Sequence, residues 1–151
     1  MDYFNLDKYM GLWYEIFKIP YKWENGCVTA TAEYNITNGN MISLKNTCYT
    51  KETSYSRSGI GEVNINTDPN VMKKLTIDFT DGLPSDGASE YWIYWTDYNY
   101  SIVGNSKKDK VWLLARSPHI HNEDLQKFTD YIHKIGYDTT KVMIVDGVYI
   151  L

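Results

Sequence analysis

Short runs in which apolar and polar residues alternate, parted by turn-forming clusters, occupy most of this chain. Residues 11–18 are rich in aromatic and branched side chains and stop before Pro20. Across residues 27–35, Val28, Ala30, Ala32 and Tyr34 alternate with Thr29, Thr31 and Glu33, the two-residue period of a half-buried strand. Residues 37–40, Thr-Asn-Gly-Asn, read as a hairpin turn because Gly and Asn tolerate positive φ, and residues 41–50 return from it. A polar stretch at 51–58 leads to a run at 61–66, and Asp68-Pro69-Asn70 turns into 72–80. The segment 81–89, with Gly82, Pro84 and Gly87, reads as a loop. Runs at 90–95, 100–106 and 110–116 follow, separated by turns around Tyr98 and Lys108. Eight such runs predict an antiparallel all-β fold.

Residues 122–135 break the pattern. Leu125, Phe128, Ile132 and Ile135 fall at i, i+3, i+7 and i+10, one apolar stripe of a helix. Asn122 is placed to cap it, Glu123 and Asp124 suit its N-terminal dipole, and Gly136 stops it. A last strand is expected at 142–145. Nothing marks a domain boundary, so residues 1–151 read as one domain. Eight antiparallel strands can close into an up-and-down barrel that holds one small ligand. The pattern alone leaves a two-sheet sandwich open.

Composition narrows the function. The formal charge of −4 lacks the basic face of a nucleic-acid binder. Tyrosine (14) and tryptophan (5) outnumber phenylalanine (4), and rings with a polar tip suit strands, wet interfaces and ligand pockets. No run approaches the roughly 20 apolar residues of a membrane span, and the start, Met-Asp-Tyr-Phe-Asn, has no signal-peptide pattern. Cys27 and Cys48 lie near the ends of the second and third runs. Counting back from the Asn38-Gly39 turn makes them close or diagonal neighbours, within reach of a disulfide in an oxidising compartment. Two glycosylation sequons begin at Asn35 and Asn99. His119 and His121 look like a metal pair but sit in a loop with few further ligands, so no metal and no cofactor is expected.

Residues 11–15, Gly-Leu-Trp-Tyr-Glu, resemble the Gly-x-Trp opening of the lipocalins, preceded by a short helical lead-in, Leu6-Asp-Lys-Tyr9. Thr96-Asp97-Tyr98 resembles that family's second motif, and Arg116, ending Val-Trp-Leu-Leu-Ala-Arg, its third. The likeness runs from Leu6 to Val145 and is strongest to the bacterial lipocalin and apolipoprotein D-like subgroup. It implies an eight-stranded barrel with one C-terminal helix packed outside and a short ninth strand. It also implies that Arg116 stacks on Trp13 to shut one end, a cation–π contact worth roughly 0.5–2 kcal/mol. In the apolipoprotein D pattern the cysteine matching Cys27 pairs with one near the C-terminus; this chain has none there.

The resemblance further implies which side chains face a ligand: Glu15 and Phe17 on the first strand, Ala30 and Ala32 on the second, and Tyr91, Ile93 and Trp95 on the sixth. Ile102 and Gly104 would line the seventh strand, and Lys110, Trp112 and Leu114 the eighth. The third to fifth strands receive no phase. In this set Glu15 and Lys110 are the charges available to orient a polar head group.

The function expected is to bind and carry or store a fatty acid, a lysophospholipid or a similar lipid, and no catalysis. Two readings compete: an isomerase-type enzyme on the same fold, and a structural protein whose exposed Trp92, Tyr94 and barrel mouth bind a partner protein. Peripheral membrane contact, and monomer against homodimer, stay open. Relatives are secreted or membrane-anchored, whereas no export signal or lipid-anchor motif is legible here, so the compartment also stays open.

Overall fold

The alternating runs form eight strands paired in chain order, each antiparallel to the next, and the first pairs back on the eighth. The computed structural model describes residues 4–19, 26–79 and 90–151. A one-turn helix α1 (Leu6–Tyr9) leads into β1 (Gly11–Ile19), β2 (Thr29–Asn38), β3 (Met41–Tyr49), β4 (Ser54–Asn64) and β5 (Lys73–Phe79). Then come β6 (Glu90–Thr96), β7 (Tyr100–Gly104), β8 (Val111–Ala115), β9 (His119–Ile120), α2 (Asn122–Lys134), β10 (Met143–Ile144) and β11 (Tyr149–Ile150). A closed ring of strands leaves no open edge and creates an inside. The sandwich alternative is thereby removed. The segment 81–89 and Pro20 lie outside the described residues.

Two apolar layers result. Inside, Tyr9, Trp13, Tyr34, Leu44 and Ile93 are fully or almost fully buried. Outside, the stripe of α2 (Leu125, Phe128, Ile132) lies on Ile102 and Leu113, so the single apolar helix face packs on the barrel wall.

Several boundaries differ from the sequence reading. The polar stretch at 51–58 is mostly strand: β4 starts at Ser54 and pairs with β3 along its length. Its inward positions are Arg57, Gly59 and Gly61, and the glycines are needed because a Cβ at Gly61 would run into Ile77 and Ile42. Apolar alternation is therefore missing from a strand that is nonetheless half inside. Asn122 is the first helical residue and not the cap. His121 holds the cap position without a side-chain hydrogen bond, leaving Glu123 and Asp124 to face the dipole. His119 lies in β9, parallel to β11, with its ring stacked on Tyr149 at 5.2 Å.

One end of the barrel is shut by the chain's own start. Asn5 caps α1 by accepting from the Lys8 N–H at 3.1 Å, and the turn delivers Tyr9 and Trp13 to the barrel floor. The Arg116 guanidinium carbon lies 3.7 Å from the centroid of a Trp13 ring. Its nitrogens donate to the carbonyls of Leu12 (2.9 Å), Lys8 (2.8 Å), Tyr9 (3.3 Å) and Tyr98 (3.1 Å). Tyr98 stands at positive φ, in a turn where Asp97 accepts from the N–H groups of Asn99 and Tyr100. The three motifs noticed in the sequence thus meet at one place.

Near the other end, Cys27 and Cys48 form a disulfide with Cα atoms 5.3 Å apart. Cys48 stands opposite Ala30 and Cys27 lies just before β2, so the pair is diagonal.

Arg116→Ala is expected to cost about 2–3 kcal/mol through the lost stacking and stranded carbonyls. That corresponds to a Tm lower by roughly 4–12 °C in differential scanning calorimetry, with lipid-probe affinity largely kept. Replacing both cysteines by serine is expected to cost about 3 kcal/mol, as a crosslink spanning 21 residues should, read from urea unfolding.

Candidate ligand site

Which side chains reach the interior is decided by two irregularities in strand pairing. Trp13 and Glu15 point in, as alternation from the floor demands. Between Glu15 and Phe17 the register against β8 slips by one residue, and a bulge of this kind reverses the alternation beyond it. Phe17 therefore turns outward into the cluster beneath α2. Lys18, opposite Trp112, turns inward, with its ammonium 3.4 Å from the Glu15 carboxylate. A second slip falls between Ile93 and Trp95. Tyr91 and Ile93 line the interior, whereas Trp95 lies outside against Phe128, ring centroids 5.5 Å apart.

The expectation for β7 was inverted. Ile102 belongs to the outer layer and Val103 to the inner one. Gly104 also faces out, where a Cβ would overlap the hydroxyl of Tyr137. That buried tyrosine follows α2 and donates to the Lys110 carbonyl at 2.9 Å. Gly104 is thus small to admit Tyr137, not to leave room for a ligand. Ala30 and Ala32 share the inner face of β2, and Trp112 and Leu114 that of β8. Lys110 is half-buried just before β8.

Other interior residues were not anticipated. Tyr34 continues the phase of Ala30 and Ala32 and was findable by extending it. On β3 the inward residues are Ile42, Leu44 and Asn46, on β4 Arg57, and on β5 Leu75, Ile77 and Phe79. Arg57, opposite Asn46, is 4% exposed. Polar runs carry no signal of which face is buried, which hid it.

The interior is graded. At the floor Tyr9 and Ser101 share a hydrogen bond of 2.7 Å, and the Trp13 indole donates to the Tyr9 carbonyl at 2.9 Å. Burial pushes the Tyr9 and Tyr34 phenols well above their ordinary range, so both act as neutral hydroxyls. Higher up, three rings form a row. Trp112 stacks on Tyr91 at 5.3 Å, and Tyr91 approaches Phe79 at 6.1 Å. Asn46 donates to the Tyr91 hydroxyl at 3.2 Å. The Arg57 guanidinium carbon sits 4.2 Å from the Phe79 centroid. Glu15, Ala32, Asn46, Tyr91, Val103 and Trp112 are among the residues bounding a cavity of about 10 Å³, room for one water at most.

Outside, Tyr94 is buried and donates to the Asn105 carbonyl at 2.6 Å. Trp92 is half-buried, with the Lys74 ammonium 4.0 Å from its ring. The expected exposed Trp92–Tyr94 pair is therefore half of what the sequence promised. Among the described residues no three His, Cys, Asp or Glu side chains gather as a metal site.

A family profile described as "Lipocalin-like domain" matches residues 4–146. The outer membrane lipoprotein Blc of Vibrio cholerae is 30% identical over 148 residues, covering 94% of this chain and 82% of that protein. Apolipoprotein D of Bos taurus is 31% identical over 155 residues, covering 96% and 78%. In fold, lobster apocrustacyanin A1 superposes with a TM-score of 0.67 at 21% identity, covering 93% of this chain and 78% of that one.

The two pairing slips make opposite demands on two tryptophans. Trp95→Ala is expected to cost roughly 1–2 kcal/mol of stability while leaving the affinity for cis-parinaric acid within about twofold. Trp112→Ala is expected to change that affinity by roughly fivefold or more. Fluorescence titration with parallel urea melts reads both.

Proposed function

The chain belongs to the lipocalin family, whose members generally bind small hydrophobic ligands, and from that premise we propose that its barrel carries or stores one slender, single-chain lipid. A fatty acid or a lysophospholipid fits this description. The observation that carries the reading is the gradient inside the barrel: a sealed apolar floor below a layer where rings and charges mix. An amphiphile has the same polarity along its length. The name of one relative, apolipoprotein D, supports lipid as the ligand class.

The small cavity limits how binding proceeds. Ligand sites commonly offer about 300–1,000 Å³, far above the 10 Å³ found between the interior side chains. A lipid reaching the depth of Glu15, Ala32 and Trp112 must therefore displace side chains. The stacked Trp112–Tyr91 pair, lying across the cavity, is the group whose rotation would open it. Each methylene buried brings about 0.8 kcal/mol, and moving this pair subtracts from that gain. Bulky polycyclic ligands, which need a wide preformed space, are disfavoured by the same reasoning.

We also infer a carrier and not a catalyst. A thiol-dependent isomerase needs a free thiolate, and the two cysteine sulfurs of this chain are joined to each other.

Delipidated protein titrated with palmitate in a calorimeter is expected to bind one equivalent at micromolar or tighter affinity, and binding is expected to quench tryptophan emission. Failure of every single-chain lipid tried to bind would overturn the reading.

A further inference from the structure

We propose that the groove on the outer wall, between β6 and the last turns of α2, docks an acidic segment of a partner protein: a short extended stretch with carboxylates around an apolar anchor. This is separate from the lipid-carrier reading and concerns the opposite face of the wall.

Shape comes first. Around Tyr91 and Trp112 the interior leaves about 10 Å³, whereas the outer hollow beside Trp92, Trp95 and Tyr131 measures about 670 Å³. All three rings are half-buried. A second hollow of about 210 Å³ continues it along the helix, sharing Trp95 and Tyr131 and adding Lys127 and Phe128. Half-exposed tryptophan and tyrosine in a recess offer a partner's apolar side chain a place to bury. A bilayer is flat and reaches what projects, so an elongated recess suits a chain better than a membrane surface.

Charge then sets the sign of the partner. Lys74 lies 4.0 Å from the Trp92 ring, Lys108 4.8 Å from that of Tyr94 and Lys127 5.1 Å from that of Phe128. Lys134 lines the groove as well. Of the described residues lining the two hollows only Asp68 carries a carboxylate, and it accepts from the Asn70 N–H at 2.9 Å. Among the described residues no carboxylate pairs with the four lysines. A chain of net charge −4 thus gathers cations here, which favours an acidic partner. The rings hold three of the ammonium groups in place, so an incoming carboxylate meets lysines already ordered. Lys108 is fixed further: at φ +60° it donates to the Tyr94 hydroxyl at 3.3 Å, and a Cβ at Gly136 would come within 3.1 Å of its stem. The negative end of α2 is covered, because the Gly136 and Tyr137 N–H groups donate to the His133 and Ile132 carbonyls. Lys127 and Lys134 share one helix face about 10 Å apart along the axis, the reach of about three residues of extended chain.

Random peptides displayed on phage and selected against the wild-type protein test this. The selected peptides are expected to combine several Asp or Glu residues with an aromatic or aliphatic one. Such a peptide, synthesised with blocked ends and titrated by calorimetry, is expected to bind the double variant Lys127→Glu, Lys134→Glu roughly tenfold or more weakly than wild type. Both positions are exposed, and circular dichroism checks the fold. Lys134→Gln, a milder change expected to weaken binding about threefold, serves should the double variant not fold. Lys45→Glu with Lys141→Glu makes the same charge change outside both hollows and is expected to leave peptide affinity within about twofold. Palmitate affinity is expected to stay within about twofold when peptide is bound. No enrichment, enrichment of neutral or basic peptides, equal binding to wild type and the folded groove variant, or competition between peptide and palmitate would each overturn the proposal. Without peptide enrichment, sedimentation of wild type but not the double variant with vesicles of equal parts phosphatidylcholine and phosphatidylserine would assign the groove to a membrane surface instead.

Discussion

Strand β1 is shared between two neighbours, and the interior takes its character from how that sharing is done. It pairs with β2 over Gly11 to Tyr14 and with β8 from Tyr14 to Ile19. Closing the ring through one strand forces a stagger, and the extra residue at Ile16 absorbs part of it. Because side chains alternate strictly, that single insertion exchanges Phe17 for Lys18 on the inner face. A barrel closed without the bulge would carry another aromatic ring where this one carries a cation.

Much of this was legible beforehand, and the failures have a common cause. Alternation located β2 and the hairpin at Gly39, whose φ of +57° suits glycine, and it placed the stripe of α2. The Trp13 and Arg116 motifs identified the closed end, because each performs a local task that few other residues perform; that the Tyr98 turn joins them there came from the structure. Phe17 and Trp95 were misplaced since a bulge leaves no mark in composition; Phe, Trp and Ile are equally at home in either apolar layer. Ile102 and Val103 illustrate the same ambiguity: both faces of β7 are buried, one by the barrel and one by α2, so hydrophobicity cannot separate them. Gly104 needed Tyr137, which lies more than thirty residues away in the chain. Arg57 was hidden because its strand reads as a polar loop.

The interior combines two properties that usually compete. Around Tyr91 and Trp112 the side chains leave only about 10 Å³ between them, and such close packing stabilises the folded chain. A binding protein needs that same space. Stacked rings reconcile the two, because a planar side chain can rotate aside with little change to the backbone that bears it. The charged groups do not move in this way as freely: Lys18 is tied to Glu15, and Arg57 is laid on Phe79. Rings would then act as the moving part and the ions as the fixed one.

The last residues of the chain have a place in the wall. Where β2 parts from β1, β10 takes its place, with Phe17 opposite Ile144 and Lys18 opposite Met143. Val145 donates to the Ile16 carbonyl at 3.0 Å and Gly147 to the Val28 carbonyl at 2.5 Å. Residues 143–147 are thus a stave laid into a seam, and the residues after them are tied to β9, with Tyr149 donating to the Pro118 carbonyl and Leu151 to the Ile120 carbonyl, each at 2.8 Å. Were the stave to lift, the barrel would acquire a lateral slit beside the bulge, so the amide protons along this stretch should exchange with solvent at a pace set by how often β10 leaves β1 while β11 stays on β9.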